Sequence, residues 1–176
     1  MAGSIKVAGH ELVSHDIAND KLITGSGFPA GHVIQVEQEI YDGGFTTTVL
    51  NNDDQATGFY VDIQPKKDTS KILIMIQGIL AIASNSGTFR QLTIKRDSTT
   101  ILFNTTGFGL RTRYSFLGGS DTLPFSFSVI DSPSSDAVLR YELFVNNANS
   151  SNMSIGERGD GGADSPTMVT AMEIAQ

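Results

Sequence analysis

Residues 71–84 read KILIMIQGILAIAS, and how this run folds decides the architecture. It is apolar on both faces of any strand it could form, interrupted only by Gln77 and Gly78. Its length would allow a helix. Isoleucine dominates it, however, and a side chain branched at Cβ suits a pleated chain better than a helical turn. The flanks are turn-like, with Lys66-Lys-Asp-Thr-Ser70 before it and Asn85-Ser-Gly87 after it. The run therefore reads as a buried central strand rather than a helix.

Outward from that strand, the chain keeps a period of two. Upstream, Ile34, Val36 and Ile40 alternate with Gln35, Glu37 and Glu39, which predicts one dry and one wet face. Gly43-Gly44 turns the chain, Phe45 to Leu50 is β-prone, and Asn51 to Asp54 reads as a turn. Phe59, Val61 and Ile63 then oppose Tyr60, Asp62 and Gln64 until Pro65 stops the strand. Downstream, residues 89–96 and 99–103 read as a hairpin around Asp97-Ser98. Residues 104–119 read as a Gly-rich aromatic loop with a short strand near Tyr114 to Leu117. Phe125, Phe127 and Val129 alternate with Ser126 and Ser128, and Leu139, Tyr141, Leu143 and Val145 alternate with their neighbours. A long polar loop is expected over 146–166, and a last strand over 168–175. Roughly ten short strands with no convincing helix predict an all-β fold, an antiparallel β-sandwich of jelly-roll type.

Residues 1–31 differ. Glycines 3, 9, 25, 27 and 31 and Pro29 break the pattern repeatedly. We read an extended N-terminal arm here and the β-sandwich domain over 32–176. Fixing extended chain costs about 1–2 kcal/mol per residue. Contacts from Ile5, Val7, Leu12, Val13, Ile17, Leu22 and Ile23 must offset that, which makes these the candidate assembly residues.

The net charge of −7 repels phosphate backbones, so no nucleic-acid partner is expected. The absence of cysteine excludes disulfides, thiolate metal sites and a Cys nucleophile. No run approaches the ~18 apolar residues of a membrane span. The chain is thus expected to be soluble as made, with no membrane partner.

No catalytic constellation emerges. His10 and His15 are five apart in the glycine-broken arm, and His32 opens a strand; neither arrangement has metal-ligand spacing. No serine sits in a nucleophile elbow, and Glu37 and Glu39 share one strand face instead of facing each other across a cleft. Residues 157–164 form the most suggestive loop. It holds Arg158-Gly159-Asp160, a tripeptide short enough to recur by chance, and Asp160 with Asp164 as a weak candidate for calcium. Tyr41, Phe45, Tyr60, Phe108 and Tyr114 could stack on sugars, although packing is the commoner use of such rings. We expect no enzyme activity and no cofactor.

Six segments taken together carry a resemblance. They are GSIKVAGHELVSHDIANDK (3–21), FPAGHVIQVEQ (28–38), QPKKDTSKILIMI (64–76), LTIKRDSTTI (92–101), SVIDSPSSDAVLRYELFV (128–145) and TMVTAMEIAQ (167–176). The set resembles a module of tailed-bacteriophage structural proteins, tail-fibre-like or decoration-like, from phages of marine bacteria. These are strand and turn signatures, so the resemblance supplies no active-site residues. It implies a virion-surface location after synthesis in the host cytoplasm, and a symmetric homo-oligomer, most simply a homotrimer. The implied partners are copies of itself, the major capsid or tail proteins, and, for a tail-fibre tip, a host surface glycan. The chain starts at Met1 and has no heptad seam, collagen-like repeat or fibrous shaft, which weighs towards a short appendage or a capsid decoration protein.

Overall fold

The computed structural model describes residues 4–7, 10–16, 21–24, 30–47, 51–82, 90–97, 99–100, 110–112, 121–147, 153–157 and 165–176. Among these the regular elements are strands: β1 (Ser4–Val7), β2 (His10–Asp16), β3 (Lys21–Thr24), β4 (Val33–Tyr41), β5 (Phe45–Thr47), β6 (Asn51–Ile63) and β7 (Lys71–Ile82). The second half contributes β8 (Arg90–Arg96), β9 (Thr99–Thr100), β10 (Leu110–Thr112), β11 (Asp121–Asp131), β12 (Leu139–Asn147), β13 (Met153–Ile155) and β14 (Thr167–Ile174). Every pairing is antiparallel.

The protein is an all-β sandwich with the expected strand at its centre. In the larger sheet, β11 pairs along β7 from Ile72 to Ile82. On the other flank, β14 pairs with Lys71 to Gln77 and β13 with Leu80 to Ile82. Strands β4 and β5 extend the sheet beyond β14 and β13. The smaller sheet runs β10-β8-β12-β6, with β9 also on β8. Ile72, Ile74, Ile76 and Leu80 from β7 join Val61, Ile63, Ile94, Leu143 and Val145 of the smaller sheet in one buried cluster. Burying each such side chain contributes roughly 1.5–3 kcal/mol. Pro124 is tolerated in β11 because, among the described residues, this strand pairs only with β7 and so forms an edge.

Four readings change. Asn51 to Asp54 is not a turn; it begins β6, opposite the end of β12, with Asn51 against Asn147. A neighbouring ladder outweighs the turn preference of asparagine and aspartate, because β propensity depends strongly on context. The polar loop 146–166 contains β13, all of it buried. The arm is not one extended chain at its described residues: β1 pairs with β2 and β2 with β3, so the short strands satisfy one another's backbone groups. Ile5, Val7, Leu12, Val13, Leu22 and Ile23 lie on these strands, while Ile17 lies outside the described residues. Among the described residues this sheet shares no ladder with the sandwich. Finally, the dry side of β4 points away from the core, leaving Val36 and Ile40 exposed. The strand near Tyr114 lies outside the described residues.

Candidate functional site

Polar side chains pin the two sheets together at opposite rims. At one rim, Glu173 continues the inward phase of Val169 and Ala171 on β14 and is fully buried. Its Oε1 accepts hydrogen bonds from Lys66 N (2.8 Å), Lys67 N (3.3 Å) and Ser70 Oγ (2.7 Å). Its Oε2 accepts from Gln35 Nε2 (2.8 Å). One carboxylate thus holds the β6–β7 turn, β14 and the edge strand β4. Six residues further along β4, the Tyr41 hydroxyl donates to Tyr60 O (2.6 Å) and accepts from Tyr60 N (3.0 Å), closing β4 onto β6. Burial raises the Tyr41 phenol above 10.0, against the lowering effect of that backbone bond.

At the other rim, Asp131 of β11 accepts from the Tyr141 hydroxyl (2.9 Å) and from Arg96 Nη1, both in the smaller sheet. Burial, and then the charge of Asp131, raises the Tyr141 phenol above its ordinary 10.0. Burial opposes the Arg96 charge, and the bond to Asp131 and the charge of Asp131 together outweigh it, so that guanidinium is held more firmly protonated. These groups saturate one another, and their geometry is that of clamps between sheets. The sequence signal for Glu173 was present: a lone acid in the apolar phase of a strand. The Asp131 clamp had no such signal, because it joins three strands distant in sequence.

The outer faces of the two sheets differ. On the smaller sheet, Arg140 Nε and Nη2 meet Asp62 Oδ1 and Oδ2, each at 2.8 Å, and its guanidinium carbon lies 3.7 Å from the centre of the Tyr60 ring. Lys95 Nζ lies 3.0 Å from Asp54 and 4.5 Å from the centre of the Phe144 ring. On the larger sheet, Val36 (52%), Ile40 (55%) and Ile130 (58%) are exposed. Met172 lies between Val36 and Leu73 in register, and Met168 is opposite Ile40. An open groove of about 490 Å³ runs over this face beside Ile79, Pro124, Pro166 and Met168.

Strands β13 and β14 both run along β7 on the same side, so Gly156 and Ser165 stand where one strand line breaks off and resumes. Ser165 N donates to Gly156 O (2.8 Å) and closes that break, and Gly156 adopts a left-handed φ of 75°. A Cβ at Gly44 would run into the Glu157 side chain, so the facing turn needs glycine there. Arg158, Gly159, Asp160 and Asp164 lie outside the described residues.

The structure does not bring the other sequence candidates together. His10 and His15 are on β2, His32 immediately precedes β4, and Glu37 and Glu39 are exposed on the β4 edge. Among the described residues, no group of three or more His, Asp or Glu is placed to hold a metal ion, and no helix is long and apolar enough to cross a membrane. Of the five aromatic candidates, Tyr41 packs on Phe59, Phe45 packs against the core and Tyr60 lies under Arg140. Phe108 and Tyr114 lie outside the described residues.

No protein-family model matches the chain, and no curated protein matches it. Among solved structures, dimeric latent PorU from Porphyromonas gingivalis is similar over 87% of this chain, with 14% identity and a TM-score of 0.38. A chain of infectious bursal disease virus Gt strain is similar over 100% of this chain, with 13% identity and a TM-score of 0.29. The matched regions span 14% and 42% of those chains. The class defined by the fold and its surfaces is an antiparallel β-sandwich with one charged and one apolar outer face.

Proposed function

We propose that this chain is a non-enzymatic structural protein of a tailed-phage virion, a surface decoration protein or short appendage that assembles as a symmetric oligomer. The apolar row Val36–Met172–Leu73–Ile130 across the outer face of the larger sheet, exposed at both ends, carries this reading, because contiguous exposed apolar surface on a folded domain marks an interaction site. The resemblance in the strand and turn segments supplies the virion context. The buried acids and phenols are committed to clamps, and a hydrolase needs such groups free in a cleft. Expected partners are further copies, in the simplest case two to complete a trimer, and the major capsid or tail proteins. The 1–31 segment is proposed as the anchor to a neighbour; particles made with a 1–24 deletion should lose the protein although the sandwich still folds.

A second reading, a receptor- or glycan-binding module at a tail-fibre tip, is favoured by the groove over Ile79, Pro124 and Met168. A glycan array run beside a reducing-sugar assay on host envelope polysaccharide separates the two. Saturable binding without release supports the tail-tip module. Release of sugar overturns both readings. Neither signal, together with recovery of the protein in purified particles, supports the decoration protein.

A further inference from the structure

We infer that the outer face of the larger sheet is the surface on which copies of this chain pack against one another. The inference deepens the oligomer part of the reading above by naming its contact, and it does not need the virion context.

The apolar residues of β4 would normally face the core of its own sandwich, yet Gln35 and Tyr41 take the inward side and bond across the rim. Val36 and Ile40 are turned outward, where Met172 and Met168 of the next strand adjoin them. A sequence that places its apolar phase outward on an edge strand needs a cover from elsewhere.

The outward positions of β7 from Leu73 to Ala81, and their register partners on β11, β13, β14 and β4, include no Asp, Glu, Lys or Arg; the nearest charges are Lys71 at one end of the face and Glu157, bonded to Thr46, at the other. The chain as a whole has 19 acidic and 12 basic residues. Identical copies bring identical charges to a shared contact, and like charges in apposition are strongly unfavourable. A neutral face is the part of an acidic chain where self-association meets least repulsion. Its central polar pair is already satisfied, because Gln38 Nε2 donates to Thr170 Oγ1 at 2.8 Å.

The strands of this sheet hold 12 residues in β7, 11 in β11, 9 in β4, 8 in β14 and 3 each in β13 and β5, and at about 4.8 by 3.3 Å per residue they cover roughly 730 Å². A standard interface uses about 800 Å² per partner.

The test is light scattering of the full chain at micromolar concentration, on the wild type and on Val36→Glu and Ile130→Glu. Both sites are more than half exposed, so a folded single chain accommodates either change. Gln91→Glu on the smaller sheet is the control. The expected result is a wild-type and control mass that is a whole multiple of 18.8 kDa, with both face variants falling to 18.8 kDa and melting cooperatively. A multimeric wild type whose face variants stay multimeric overturns this surface and leaves the oligomer reading standing. A wild type at 18.8 kDa overturns both. Face variants that lose thermal stability without any change of mass also overturn it, because the cover is then the chain's own N-terminal sheet.

Discussion

The outer face of the smaller sheet and the outer face of the larger sheet are built from strands of the same kind, and they treat water in opposite ways. On the smaller sheet, Arg140 pairs with Asp62 and covers Tyr60, and Lys95 pairs with Asp54 and covers Phe144. Each apolar ring there lies beneath the stem or head of a cation, which leaves the charge in solvent. On the larger sheet, Val36, Ile40 and Ile130 stay more than half exposed. Alternation in a sequence therefore shows that a strand has two faces and does not say which one meets the core. In β12 the apolar phase turns inward; in β4 it turns outward.

The comparison presumes that each face is held flat from beneath, and the largest test removes that support from the apolar one. Glu173→Ala leaves Lys66 N, Lys67 N, Ser70 Oγ and one bond of Gln35 without their shared acceptor. Hydrogen bonds to a charged group contribute about 1.5–3 kcal/mol each and are not additive, so a loss of about 3 kcal/mol or more is expected. For a chain of this size that lowers Tm by roughly 6–12 °C. Glu173→Gln, which keeps one acceptor, should fall between. Thermal denaturation followed by circular dichroism decides it, and coincident melting of the alanine variant and the wild type would remove Glu173 as an anchor.

The clamp at the opposite rim should be weaker. Tyr141→Phe removes one hydroxyl bond to Asp131 and leaves the ring packed, at about 1–2 kcal/mol near neutral pH. Its pH dependence has a definite sign. The folded phenol is raised above 10.0, so its contribution is fully present below that value and is lost as pH rises beyond it. Urea midpoints of the wild type should therefore fall more steeply above pH 10 than those of Tyr141→Phe. Parallel alkaline limbs would show that this phenol does not titrate with unfolding.

The core was legible because β11 and β12 alternate strongly and the isoleucine-rich run of β7 is apolar on both faces, and Leu143 and Val145 are where the alternation places them. Three things were not. Asn51 to Asp54 join a strand only because β12 runs past them. β13 is three residues long, too short for any period to show. The clamps depend on residues between 10 and 138 positions apart, as Tyr141–Asp131 and Gln35–Glu173 illustrate, and no local pattern encodes such a meeting. The apolar face was visible in the sequence as the dry side of β4, but its outward direction follows only from the position of β4 in the sheet.

The smallest expected effect belongs to the charged face and sharpens the contrast most directly. Hydrogen bonding to Arg140 holds the Asp62 carboxyl below its ordinary 3.8, with burial opposing. A lowered folded value contributes stability above the unfolded one, and that contribution is lost as pH falls through the folded value. The pair is well exposed, at 46% and 40% for its two side chains, so solvent screens it and the gain is small. Arg140→Ala should melt slightly below the wild type at pH 7. The gap should narrow in 1 M salt, where the screening length is about 3 Å, and narrow again below pH 3.8. A gap that ignores both pH and salt would mean that stacking on Tyr60, 3.7 Å away, holds the arginine and the carboxylate does not. The matching change on the other face is Val36→Ser, and it should track the wild type across the acid range. The register partners outward from Val36, namely Met172, Leu73 and Ile130, are all apolar, so acid has nothing to protonate in that row.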